Sequence, residues 1–273
     1  MTEYEIKPQN KFSLGLLELW RYRELFYFFT WRDIKVKYKQ AALGILWAIL
    51  QPLVMMLMFT IIFSKALNVS SDGIPYPVFA ISGLLIWNIF SSGLLNSANS
   101  MITNANIIKK IYFPRLIIPM SAILTALVDF VFALIIYAII LLYYRQNVSI
   151  AKLFLYLPLS ILITIITTFG LGSFLAALNV KYRDFQYILP FMIQFLLFVN
   201  PVLYSSKAFA NSWISGFMKA NPIAAAIELC RSIFTGVQVD WQAVSYGSIV
   251  AILLLFTGIY TFRKTEAYFA DLA

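Results

Sequence analysis

The chain has 273 residues, of which 61% are hydrophobic and only 12% charged, with a formal net charge of +9. A soluble domain carries about 25% charged residues, so the composition excludes that class and points to an integral membrane protein. One cysteine, Cys230, and no histidine exclude an internal disulfide framework, zinc sites, Ser-His-Asp triads and histidine proton relays.

The polar, charged first 40 residues predict no cleavable signal peptide. Residues 11–40 are too charged to insert, yet they carry Leu14, Leu16, Leu17, Trp20, Leu25, Phe26, Phe28, Phe29 and Trp31. That mixture predicts an amphipathic helix lying in the membrane interface. Near its end, "RDIKVKYK" places Arg32, Lys35, Lys37 and Lys39 within eight positions. The period-two alternation resembles a strand, but an unpaired strand at the membrane surface leaves backbone groups unsatisfied. On a helix, Arg32, Lys35 and Lys39 share one face, while Asp33 and Lys37 form an i, i+4 pair on another. An orientation signal, attraction to anionic lipid and a grip on an anionic substrate all remain open for this cluster.

Crossing the hydrocarbon takes about 20 apolar residues. Runs of that kind predict six spans at 41–64, 77–100, 116–143, 153–179, 186–205 and 241–262. Lys and Arg concentrate in the N-terminal segment, the 101–115 and 181–184 loops and the C-terminal tail. The other face holds only Lys65, Arg145, Lys152, Lys207, Lys219 and Arg231, so both termini are expected in the cytoplasm. Asp129 interrupts the third span, and no intramembrane Lys, Arg or His offers itself as its partner. It is expected to bond Ser, Thr or Tyr groups or cavity water, with a polar substrate path and a proton relay as alternatives.

In "MITNANIIKKIYFPRLIIP" (101–119), Asn104 is placed to cap a short helix, Lys109 and Lys110 lie near its end, and Pro114 stops it. Ile107, Ile108, Ile111, Tyr112 and Phe113 are too apolar for a free loop. They pack on this chain or lipid, or they present the helix to a partner. Residues 207–240 are too apolar for a solvated loop and too short to cross twice. A helical hairpin of 208–219 and 222–235 is predicted, with Asn221 as N-cap, Pro222 in the first turn and Gly236 as C-terminal cap. Such a dip is tolerated only where it packs on protein or lines a cavity. Glu228 and Arg231 are spaced for a local ion pair, with a gating role second. No GxxxxGK[ST] motif occurs and no carboxylates are paired, so the chain is expected to be no enzyme and to hold no cofactor, metal or nucleic acid.

Four stretches together carry a family likeness: "YKQAALGILWAILQPLVMMLMFTIIFS" (38–64), "KKIYFPRLIIPMSAILTALVDF" (109–130), "LNVKYRDFQYILPFMIQFLLFVNPVLYS" (178–205) and "NPIAAAIELCRSIFTG" (221–236). The chain resembles, over essentially its whole length, the membrane subunits of ABC exporters for O-antigen, capsule and teichoic acid polysaccharides. The resemblance implies an all-α, type-2 exporter fold with six spans, a cytoplasmic gate helix before the first and a re-entrant outer gate between the fifth and sixth. It implies a homodimer joined to two copies of a cytoplasmic ATPase that binds the ATP and Mg, with 103–113 as coupling helix seated in that ATPase. The implied cargo is a polysaccharide on a polyprenyl pyrophosphate lipid, moved through a channel in the bacterial inner membrane. On that reading the Arg32, Lys35, Lys37 and Lys39 cluster meets the pyrophosphate, and Asn104, Lys109, Lys110, Tyr112 and Phe113 belong to the coupling region. Glu228 and Arg231 belong to the outer gate. Because sugars stack on aromatic faces, Trp47, Trp87, Tyr137, Phe191 and Phe195, with Asp129, are candidate channel-lining residues. Export of another lipid or a drug, and a proton-coupled carrier using Asp129, are the alternatives. A membrane-bound glycan-modifying enzyme would need acids or a nucleophile that the sequence does not display.

Overall fold

The structure is a computed structural model that describes residues 20–39, 44–209, 214–236 and 238–266. The beginning of the expected interface segment, the start of the first expected span and residues 210–213 of the expected hairpin lie outside the described residues. Helix α1 is Arg23–Lys39, and α2 is Leu46–Phe59, continued by a π-helical stretch Thr60–Ala66. Helix α3 is Tyr76–Thr103, α4 is the single turn Ala105–Ile108, and α5 is Ile117–Tyr143. Then follow α6 at Ile150–Lys181, α7 at Phe185–Val199, α8 at Ile214–Ala220, α9 at Pro222–Thr235 and α10 at Trp241–Thr265.

Among the described residues five helices are long and apolar enough to cross a membrane: α2 with its π-helical continuation, α3, α5, α6 and α10. The expected fifth span is realised as α7, which has 15 residues. At a rise of 1.5 Å per residue it covers about 22 Å, less than the hydrocarbon thickness of about 30 Å. The reason lies in the local sequence. Asn200 and Pro201 break the helix, and the Tyr204 hydroxyl turns back to donate to the Phe198 and Val199 carbonyls at 3.0 and 2.9 Å. Those carbonyls are orphans of the helix end, and the phenol satisfies them.

Helix α3 is the hub. It packs against α5, α6, α9 and α2, and 78% of its most apolar window is buried, against 11% for α2. Lipid tails are as apolar as leucine, so the helices of such a bundle hold together by close packing and interhelical bonds. Both devices are present. A Cβ added at Gly258 of α10 would sit 2.0 Å from the Gly170 carbonyl of α6, so that crossing requires glycine. Asn179 Nδ2 of α6 donates to the Ala98 carbonyl of α3 at 2.9 Å, and Ser160 Oγ of α6 donates to the Ala226 carbonyl of α9 at 2.7 Å.

Two polar regions flank α3. At its C-terminal end, α1 lies along α5, and its buried Phe29 packs on Phe113 with ring centroids 5.6 Å apart. At its N-terminal end, α9 is held by the expected local signals. Asn221 Oδ1 accepts from the amides of Ile223 and Ala224 at 3.0 and 3.4 Å, Pro222 occupies the first turn, and Gly236 closes the helix with φ +68°.

Candidate functional site

Below α1 lies a cavity of about 290 Å³ to which α1, α2, α3, α5 and α7 all contribute. Trp47 and Gln51 reach it from one face of α2, being four residues apart. Asn88, Ser91 and Ser92 line it from α3, at the i, i+3, i+4 spacing of a single helical stripe. Asp129 comes from α5 and Lys37 from α1. The Asp129 carboxylate accepts from both Lys37 Nζ and the Tyr38 hydroxyl. Burial, with the adjacent carboxylate second, raises the Tyr38 phenol well above its ordinary value, so it remains a donor.

Several sequence expectations need correction. Asp129 has a cationic partner after all, supplied by α1 rather than by a span. The expected Asp33–Lys37 pair does not form: Asp33 Oδ1 takes Arg32 at 2.7 Å, while Lys37 is turned to Asp129. Arg32 also lies over the Phe29 ring at 4.9 Å, and Lys35 over Trp31 at 5.2 Å. Of the four clustered cations, Lys37 lines the cavity, and Lys39 is exposed. Trp87 and Tyr137 are core residues, not lining ones. Trp87 packs on Phe90 at 5.4 Å, and Tyr137 meets Phe234 edge-on at 4.9 Å with no exposed surface. Trp47 is an exposed cavity residue, and Phe191 and Phe195 stand exposed on one face of α7.

In the α3–α5 connection, Asn104 occupies the N-cap position of α4 without capping it. Its amide instead donates back to the Ser100 carbonyl at 2.8 Å. Phe113 is buried against Phe29, whereas Lys109, Lys110 and Tyr112 are exposed. Gln51, Asn88, Ser91 and Ser92 escaped the sequence reading. The i, i+3, i+4 spacing of Asn88, Ser91 and Ser92 within a span was the available signal.

The second cavity, of about 310 Å³, lies at the hairpin end and includes Asp72, Lys207, Glu228, Arg231 and Asp240. Arg231 is not paired to Glu228. Its guanidinium donates to the carbonyls of Pro201, Val202 and Tyr204 and stacks on Phe79 at 3.6 Å. A Cβ at Gly83 would lie 2.7 Å from Arg231 Nη2 and 2.8 Å from the Val202 carbonyl, so glycine there admits the cage. Asp72 accepts from Ser205 Oγ at 2.9 Å and pairs with Lys207 at 3.5 Å.

The described residues form an all-helical bundle with spanning-length helices and two polar cavities, the architecture of a multi-pass membrane protein with the makings of a transporter. Sequence comparison identifies the group: the chain belongs to the ABC-2 type transporter family, whose profile matches residues 24–235. It is 31% identical to the O-antigen export system permease protein RfbA of Klebsiella pneumoniae, over 96% of this chain and 98% of that protein. It is 28% identical to the protein of the same name from Myxococcus xanthus, over 93% and 97% of the two chains. The polysialic acid transport protein KpsM of Escherichia coli is 25% identical, over 86% and 91%.

Proposed function

We propose that this chain is the channel-forming subunit of an ABC exporter that carries a polyprenyl-pyrophosphate-linked polysaccharide, O-antigen in particular, across the bacterial inner membrane. A separate ATPase subunit supplies the energy, and the chain acts as a homodimer joined to two copies of it. The observation that carries this reading is the cavity beneath α1, where Lys37 meets hydroxyl and amide groups of α2 and α3 beside Trp47. A cation suits a pyrophosphate, and polar groups beside an indole suit a sugar. The near full-length similarity to proteins named for O-antigen export supports the cargo class.

In this reading α1 is the gate helix at the cytoplasmic surface, and both termini are cytoplasmic. Helix α7 together with 200–205 completes a sixth crossing, and α8 with α9 forms the re-entrant outer gate. The connection 103–113, with Lys109, Lys110 and Tyr112 exposed, seats in the ATPase, and the exposed faces of α2 and α7 bearing Trp47, Phe191 and Phe195 line the path between subunits. A proton-coupled carrier would need a relay at Asp129; its bonded partners, Lys37 and Tyr38, both come from the surface helix.

The test is co-expression with the cognate ABC ATPase, followed by reconstitution in vesicles. The pair is expected to co-purify and to move lipid-linked glycan across the membrane only with ATP. Failure to co-purify, together with ATPase activity indifferent to the glycan lipid, overturns the reading.

A further inference from the structure

Lys37 and Tyr38 are consecutive residues, and consecutive residues of a helix diverge by about 100°. They converge on one carboxylate because α1 lies directly across Asp129 of α5. The pair is unequal in access: the Lys37 side chain is 44% exposed and that of Asp129 18%. Lys37 therefore stands at the mouth of the cavity and Asp129 in its wall. A half-exposed ion pair of this kind is a weak tether, too weak to be explained as the bond that holds the two helices together. Phe29 on Phe113 does more of that work, one helical stretch away.

We infer that Asp129 is a resident stand-in for the substrate's anionic headgroup: it holds Lys37 at the cavity until a lipid-borne diphosphate displaces it. The inference rests on the proposed export function and adds the recognition step. An ammonium offers three donors and no acceptor. A diphosphate presents more charge and more acceptor oxygens than a carboxylate, so the exchange runs towards the substrate. Asp129 is not abandoned in the wall, because the Tyr38 hydroxyl stays bonded to it. Lys37 leaves one of the ties between α1 and α5. Helix α1 also bears on the α3–α5 connection through Phe29 and Phe113. Headgroup arrival is thereby reported to the segment proposed to seat in the ATPase.

The stand-in and the tyrosine bonded to it make opposite predictions. Asp129→Asn keeps an acceptor for Tyr38 and removes the competing charge. Tyr38→Phe leaves the carboxylate with Lys37 alone and strengthens the competition. The experiment uses the complex with its ATPase in nanodiscs, with glycan-free polyprenyl diphosphate as probe and the half-maximal concentration for ATPase stimulation as readout. Asp129→Asn is expected to lower that concentration by about fivefold, the reach of a partly exposed pair, and Tyr38→Phe to raise it. Polyprenyl monophosphate is expected to stimulate less than the diphosphate in all three proteins. An Asp129→Asn value equal to or above wild type overturns the inference. If that variant fails to assemble, Tyr38→Phe decides, and an unchanged value there overturns it. Stimulation by inorganic pyrophosphate at the same concentration overturns the lipid-borne assignment. A wild-type complex that ignores the diphosphate lipid defeats the export reading itself and this step with it, whereas a responsive wild type with unshifted variants defeats this step alone.

Discussion

The α1 end and the hairpin end of the molecule solve the problem of charge in an apolar protein in opposite ways. At the hairpin end Arg231 is buried and held by backbone: three carbonyls and an aromatic face surround a planar guanidinium. At the α1 end Lys37 is half-exposed, paired with one carboxylate on another helix and lying over the neighbouring Tyr38 ring at 5.5 Å. A cation locked by main-chain groups that cannot move away is a structural element. A cation whose one charged partner can be replaced is free to exchange. The contrast separates a clamp from a contact that a substrate can take over.

The largest effect is expected where the clamp is removed. Arg231→Leu leaves the Pro201 and Val202 carbonyls without their donor, and each buried orphan costs about 1–3 kcal/mol. The protein is expected to lose many degrees of thermal stability in detergent, or to fail to accumulate. Arg231→Lys should rescue only in part, because a single ammonium cannot reproduce the planar fork or the stacking on Phe79. Thermal unfolding followed by size-exclusion chromatography checks both. A stable, monodisperse Arg231→Leu protein would show that the cage is incidental.

Next comes the attachment of α1. Phe29 is buried against Phe113, and truncating a buried phenylalanine costs about 3 kcal/mol or more. Phe29→Ala is expected to free α1 while the spans stay intact. Limited proteolysis should then cut within α1 in the variant and not in the wild type. Equal protection in both would mean that α1 is held elsewhere.

The two ends also differ in how far they could be read from sequence. The hairpin rests on neighbours in the chain: Asn221, Pro222 and Gly236 are local signals, and each performs the expected task. The five long helices follow from apolar length alone. What depended on distant neighbours was lost. Lys37 meets Asp129 across 92 positions, and the attractive local alternative at Asp33 was already occupied by Arg32. Arg231 looked like half of an i, i+3 pair with Glu228. The break at Asn200 and Pro201 supplies carbonyls that a charged fork satisfies better, and spacing within α9 carries no trace of them. Tyr137 reads like any other aromatic of a span until α9 brings Phe234 against it.

A smaller effect is expected at the cap of α9. Asn221 accepts from two amides and donates to Asn200 Oδ1 at 3.0 Å. Replacing such a cap by alanine costs about 1 kcal/mol. Asn221→Ala is therefore expected to lower thermal stability by a few degrees, and Asn221→Asp, which retains the cap but loses the donor to Asn200, by less. Reversal of that order would make the interhelical bond, not the cap, the important contact.

The smallest stability effect should fall on the residue with the largest functional one. Lys37→Gln removes a pair that is 44% exposed on one side, so its cost in stability is about 0–1 kcal/mol. Glutamine still reaches the cavity and still hydrogen-bonds, but it brings no charge. If the α1 end is an exchange site, the variant melts with the wild type and assembles with the ATPase. It nevertheless loses stimulation by the diphosphate lipid. Lys39→Gln, a neutralisation on the same helix at an exposed position away from the cavity, serves as the control and is expected to retain stimulation. Equal losses from the two variants would mean that α1 acts through its total charge at the membrane surface, and the contrast between the two ends would then be one of burial, without a recognition site at either.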